Sequence, residues 1–171
     1  MTASVQDLLD KAAIAESVLT YCRGVDRLDL DLVTSCYHPD ARETHGGFNG
    51  DPASYRQWLG RILARYEGTS HLVANQLIEV TGDTAWSETY GVARHWGEPP
   101  EDHRVNFTSG FRFVDRFERR EGLWKVAERT AILDWVSVEG PETRHPNPGG
   151  GPKGARDGTD ALYRGFRRGD S

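Results

Sequence analysis

Val5, Leu8, Leu9, Ala12, Ala15, Val18, Leu19, Cys22 and Val25 recur at steps of three and four residues, the spacing of one apolar face on a long first helix. A second, shorter helix is predicted from Leu30 to Tyr37, ending near His38-Pro39 because proline disfavours helical geometry in the residue before it. Residues 42–48 read as a short strand. Asp51-Pro52 then supplies an N-cap and a proline at the first helical position, and the helix they open carries Tyr55, Trp58, Leu59, Ile62, Leu63 and Tyr66 on one face. After Gly68 the period changes from helical to extended. HLVANQLIEV (71–80), AWSETYGVARHW (85–96), VNFTSGFRFVDRFER (105–119) and LWKVAERTAILDWV (123–136) read as four strands, separated by TGDT, a loop around Pro99-Pro100 and the RREG turn. Helices first and antiparallel strands afterwards predict an α+β fold with the helices on one face of the sheet.

The pattern divides the chain into a domain over residues 1–138 and a tail over 139–171. The segment GPETRHPNPGGGPKGARDG (140–158) is too rich in Gly, Pro and polar residues to bury a core of its own. TDALYRGFRR after it reads as a short helix capped by Thr159 or Asp160, which either docks as a flap over a pocket, docks on a neighbouring subunit, or stays mobile. With 171 residues and 37% hydrophobic content the chain suits one core. A net charge of −5 gives no electrostatic reason to expect a nucleic-acid partner. No apolar run approaches the roughly 20 residues that span a bilayer, so no membrane partner is expected. The polar N-terminus lacks the regions of a signal peptide, and Cys22 and Cys36 read as buried free thiols, so a cytoplasmic location is expected.

Asp26 interrupts the pattern. It lies four residues after Cys22 and eight after Val18, where a continuing helix would place it on the inward stripe. An ionised carboxylate there is costly unless it is paired or hydrogen-bonded. One reading makes it a frayed helix end bridged to Arg23 or Arg27. The other pairs it with His71, which opens the first long strand and by strand alternation shares a face with Val73, Asn75 and Leu77. A carboxylate beside an imidazole holds its tautomer and stabilises its protonated form, which suits a general base.

The segments YCRGVDRLDLDLVTSCYHPDA, SHLVANQLIEVTGDTAWSETY and GFRFVDRFERREGLWKVAERTAILDW resemble the SnoaL-like branch of the nuclear transport factor 2-like superfamily over roughly residues 6–138. The resemblance implies a cystatin-like cone: a curved antiparallel sheet packed by about three N-terminal helices around an internal cavity. Scytalone dehydratase, hexachlorocyclohexane dehydrochlorinase and bile-acid 7α-dehydratase share an Asp–His dyad, which falls here on Asp26 in GVDR and His71 in SHLVAN. The tyrosine of the bile-acid enzyme corresponds to Tyr21, and an arginine of the dehydrochlorinase corresponds to Arg129 in WKVAER. The second histidine of scytalone dehydratase has no clear match in NFTSGFRF, which argues against scytalone as substrate. Related folds assemble as dimers or trimers through the sheet, so a homo-oligomer is expected.

These residues predict a cofactor-independent lyase of the dehydratase type. His71 removes a proton from carbon, Asp26 stabilises the imidazolium, Tyr21 polarises a carbonyl or assists a departing oxygen, and Arg129 stabilises negative charge or pairs with Asp26. Tyr55, Trp58, Tyr90, Phe107 and Trp135 are candidate walls for a small, cyclic, largely apolar substrate such as a steroid, polyketide or terpenoid. An isomerase or cyclase would use the same dyad, and a non-catalytic ligand-binding or assembly module would use the fold alone. His38, His45, His95, His103 and His145 show no metal-ligand spacing, so neither a metal nor another cofactor is expected. His95, at a strand end, is placed at the cavity rim.

Overall fold

Each helix opens on a side-chain cap. Ser4 and Asp7 exchange hydrogen bonds in a capping box ahead of α1 (Val5–Asp26). Asp29 caps α2 (Leu30–Ser35), and Asp51 caps α3 (Pro52–Leu63), whose first turn holds Pro52. The computed structural model describes residues 4–99, 102–138, 151–152 and 154–165. The strands are β1 (Tyr37–His45), β2 (Phe48–Gly50), β3 (Gly68–Thr81), β4 (Thr84–Trp96), β5 (Phe107–Arg120) and β6 (Leu123–Val138). They form one sheet in the order β2-β1-β6-β5-β4-β3. The four long strands are where the sequence puts them, and the turn between β5 and β6 takes positive φ at Glu121 and Gly122.

Three expectations need correction. The second helix stops at Ser35, two residues before Tyr37. The chain turns extended there, the Cys36 carbonyl accepts from Val126 N–H, and the Tyr37 ring enters the core. The strand it begins runs parallel to β6, so the sheet is antiparallel everywhere except at that pair. The buried face of α1 matches the predicted one at Val18, Cys22 and Val25 only. Val5, Leu8, Leu9 and Leu19 are exposed, and the helix packs through Asp10, Ile14, Val18, Tyr21, Cys22 and Val25. Asp10 is admitted to that face because Trp124 Nε1–H and Arg119 both donate to it. Finally, the β3–β4 register breaks between Val73 and Gln76. That bulge turns Gln76, Ile78 and Val80 inward, so His71 shares its face with Val73 but not with the exposed Asn75 and Leu77.

Further register breaks lie at Gly110/Phe111 and Arg116/Phe117 on β5. Such irregularities bend the strands that carry them, and the sheet is curved and unclosed, with β2 and β3 as its edges. The helices cover its inner face. α1 and α2 approach closely at Gly24, where an added Cβ would meet a Val33 methyl at 2.8 Å. The outer face carries the alternate residues of the long strands. Of the tail, residues 154–165 pack against the helix ends: Arg156 donates to the Leu63 and Tyr66 carbonyls, and Asp160 lies 3.5 Å from Arg27. Asp160 caps a short 3-10 turn over Ala161–Arg164, and residues 166–168 of the predicted short helix lie outside the described residues. Among the described residues no helix is long and apolar enough to cross a membrane.

Candidate functional site

Asp26 is the last residue of α1, and the chain leaves the helix at Arg27. Its carboxylate points at the start of β3. Oδ1 accepts from the Thr69 hydroxyl at 3.0 Å and lies 2.7 Å from His71 Nδ1, while Oδ2 accepts from the His71 backbone N–H at 2.9 Å. Three donors around one carboxylate answer most of its desolvation cost. Arg27 turns instead towards Asp160. The side chains of Asp26 and His71 are 15% and 10% exposed, so the pair is shielded without being sealed. Nδ1 is held by the carboxylate, and no protein group among the described residues bonds Nε2 of His71.

His71 lines a cavity of about 210 Å³ between the helices and the inner sheet face. Tyr21, Trp58, His95, Phe107, Phe111 and Phe113 supply most of its aromatic wall. On the other side of the pair, Asp26, Arg23, Arg27 and His71 border a second hollow of about 230 Å³. Trp58 and Phe107 thus reach the cavity. Tyr55 is fully buried behind it, with its hydroxyl 2.6 Å from that of Tyr21. Tyr90 and Trp135 do not reach it, which corrects their assignment as cavity walls. Tyr90 alternates with the inward Thr89 and Gly91 and meets the Arg112 guanidinium outside. Trp135 pairs in register with Gly110, an outward position of β5, and its indole lies over that glycine, where an added Cβ would meet Nε1 at 2.1 Å.

Arg129 is also placed differently from expectation. It is completely buried and makes a bidentate pair with Asp115 at 2.8 and 2.7 Å, so it does not pair with Asp26. Its guanidinium lies between the rings of Tyr21 and Phe113, 4.3 and 4.2 Å from their centroids. Strand register explains the choice, because Arg129 on β6 sits directly opposite Asp115 on β5. Burial pushes the Asp115 carboxyl upward, against the pull of Arg129.

A buried polar chain leads from that pair to the cavity. Arg129 Nη1 donates to the Tyr37 hydroxyl, which donates to Glu43 Oε2 at 2.8 Å. Glu43 Oε1 lies 3.1 Å from His45 Nδ1, which is also 3.1 Å from the Tyr55 hydroxyl, and Tyr55 contacts Tyr21. Burial holds the Tyr21, Tyr37 and Tyr55 hydroxyls well above the ordinary tyrosine range, so all three are neutral donors and acceptors. Glu43 and His45 were not among the predicted site residues. The signal was the period-two run Ala41, Glu43, His45, which puts a carboxylate and an imidazole on one strand face.

His95 is half-buried on the cavity wall. It stacks on Phe107 at 4.4 Å between ring centroids and stands 6.2 Å from the His71 ring. Burial and then the neighbouring His71 push its pKa down to about 4, so it is neutral near pH 7. His38 bonds the Glu118 carbonyl, His103 is exposed and His145 lies outside the described residues. Cys22 and Cys36 are buried free thiols, and burial pushes Cys22 up to about 12. Among the described residues no group of three or more His, Cys, Asp and Glu side chains is arranged to hold a metal ion.

The profile of the SnoaL-like domain family matches residues 6–130. An uncharacterized protein of Mycobacterium tuberculosis is 29% identical over 129 residues, which are 74% of this chain and 86% of that protein. Among solved structures, a type 2 hexachlorocyclohexane dehydrochlorinase superposes with a TM-score of 0.74 at 20% identity, covering 86% of this chain and 99% of its own. A scytalone dehydratase-like protein of Novosphingobium aromaticivorans superposes with a TM-score of 0.69, also at 20% identity, over 86% of this chain and 97% of its own. At that identity the likeness shows the fold.

Proposed function

The chain belongs to the SnoaL-like domain family, and we propose that it acts there as a cofactor-independent lyase of the dehydratase type. The observation that carries this reading is the 2.7 Å contact between His71 Nδ1 and Asp26 on the wall of an aromatic-lined cavity. With Nδ1–H donated to Asp26, Nε2 presents a lone pair to a bound substrate and takes a proton from carbon. Asp26 stabilises the imidazolium that forms. The electron pair left on carbon makes the new C=C bond as the bond to the leaving oxygen breaks, and the imidazolium returns its proton so that the group departs as water. Tyr21 is placed to contact substrate from the cavity wall, and Arg129 acts behind it. The lining suits a small, cyclic, largely apolar molecule of steroid, polyketide or terpenoid type.

2-Tetralone, a bicyclic ketone with acidic C–H bonds, is a probe that needs no knowledge of the natural substrate. The protein in deuterated buffer should accelerate exchange at the carbons beside its carbonyl, followed by NMR. His71→Ala should reduce that acceleration by about 10²–10⁴-fold while the circular dichroism spectrum stays unchanged. Exchange at the wild-type rate in His71→Ala places the base elsewhere, with His95 the next residue to replace.

Assembly belongs to the same proposal. Leu72, Leu77, Trp86, Val92 and Trp135 are exposed on the outer sheet face. Large apolar side chains exposed on one sheet face suit a contact site, and a dimer or trimer through that face would cover them. Light scattering at micromolar concentration should give a multiple of 19.1 kDa; a monomer mass rejects the assembly.

A further inference from the structure

Two residues of one strand hold the Asp26 carboxylate. Thr69 and His71 are positions i and i+2 of β3, so their side chains leave the strand on the same side. β3 is an edge strand that pairs only with β4, and Asp26 takes the backbone N–H of His71. The start of the strand is pinned in place. An added Cβ at Gly68 would meet the Trp96 ring at 2.1 Å, and the Glu67 N–H donates to the Trp96 carbonyl at 2.9 Å. Thr69 follows directly and stands opposite His95 in register.

Thr69 is 2% exposed, so its hydroxyl is shut off from bulk water, and it donates to Asp26 Oδ1 at 3.0 Å. Each carboxylate oxygen thus has a donor of its own: the Thr69 hydroxyl on Oδ1 and the His71 N–H on Oδ2. Two donors on two oxygens stop the group from turning about its Cβ–Cγ bond. In that setting Oδ1 also meets His71 Nδ1 at 2.7 Å. With the backbone N–H alone, the carboxylate is free to pivot about Oδ2 and carry Oδ1 off the ring nitrogen. A misplacement of that size is enough to slow a reaction that depends on a set geometry.

We propose that Thr69 is a positioning residue, whose hydroxyl fixes the Asp26 carboxylate so that His71 keeps its hydrogen on Nδ1 and its lone pair on Nε2. The proposal rests on reading Asp26 and His71 as the base pair. Thr69 is not among the residues that line the cavity, so it acts on turnover and not on ligand binding. The competing role is space-filling at the strand start, where a β-branched residue suits an extended backbone.

Two variants of the full chain separate these roles. Thr69→Val keeps the shape and loses the hydroxyl, whereas Thr69→Ser keeps the hydroxyl and loses a methyl group. Deuterium exchange into saturating 2-tetralone should fall about three- to tenfold in Thr69→Val, the range of one hydrogen bond, and stay within about twofold of wild type in Thr69→Ser. Calorimetric binding of tetralin, the hydrocarbon of the same shape, should stay within about twofold in both. Without ligand, NMR of the ¹⁵N-histidine-labelled chain should show the His71 Nδ1 hydrogen exchanging with water about three- to tenfold faster in Thr69→Val than in the other two. Turnover in Thr69→Ser at or below that of Thr69→Val, or an Nδ1 hydrogen that exchanges equally in all three proteins, overturns the proposal. If Thr69→Val does not fold, Thr69→Ala takes its place; it should lie below Thr69→Ser, and equality of the two overturns the proposal. A wild type that leaves 2-tetralone unexchanged rejects the lyase reading instead, and the Nδ1 hydrogen then decides the role of Thr69 by itself.

Discussion

Two acid–base pairs in this molecule look alike as residues and differ in what their surroundings allow. Arg129 and Asp115 are completely buried, joined by two hydrogen bonds, and closed in by the rings of Tyr21 and Phe113. Asp26 and His71 are joined by one contact between side chains and remain partly exposed, with one ring nitrogen unclaimed by protein among the described residues. The first pair has no valence left for a substrate. The second has been left with one. A strong pair with every group satisfied is architecture, whereas a supported pair with one open position is a candidate for chemistry.

The sharpest way to break that comparison is to remove one partner of the closed pair. Arg129→Met should cost about 3–5 kcal/mol, because Asp115 would be left buried without a counter-charge. Urea unfolding reads this, and the double variant Arg129→Met/Asp115→Leu should recover much of the loss. An Arg129→Met protein of wild-type stability would mean that the pair is not sealed. In the open pair the effects should invert. Asp26→Asn keeps the shape but removes the charge that stabilises an imidazolium. It should lower 2-tetralone exchange at least about tenfold, less than His71→Ala does, with a smaller stability change than Arg129→Met. Equal exchange rates in Asp26→Asn and wild type would make Asp26 a structural cap of β3.

The smallest expected effect concerns the third imidazole. His95 has its folded pKa lowered from 6.5 to about 4, mainly by burial and then by His71, with Asp26 acting the other way. The unfolded chain takes up this proton near pH 6.5 and the folded chain only near pH 4. Between those values the unfolded state binds more protons, so this contribution is full above pH 6.5 and is lost as pH falls towards 4. His95→Phe, which preserves the stack on Phe107, should flatten that part of the stability–pH curve. An unchanged slope between pH 6.5 and 4 would mean that His95 is not held neutral.

Local patterning was enough for the existence of the three helices, the cap of the third and the four long strands. Asp51-Pro52 is a start signal that needs no tertiary help, and the Glu121-Gly122 turn places β5 against β6 in register. The conflict at Asp26 was also legible, since a carboxylate on an inward stripe stands out in the sequence alone. Which side of the first turns of α1 is buried was not. Asp10 counts as polar in any pattern, and only Trp124 and Arg119, more than 100 residues away, make its burial tolerable. The bulge after Val73 is likewise invisible to alternation, yet it decides which half of β3 faces inward.

What the sequence determined by itself is therefore what neighbours a few residues apart can settle: helix starts, strand periods and the presence of an acid where an apolar residue was due. Tertiary structure alone decided the partners. Cross-strand register gave Arg129 to Asp115 and put Trp135 over Gly110 on the outer face, and the fold brought His45, with Glu43 beside it, to the same cavity as His71. A hydrogen bond depends on tenths of an ångström between atoms whose residues lie far apart in the chain, and no local pattern encodes that distance.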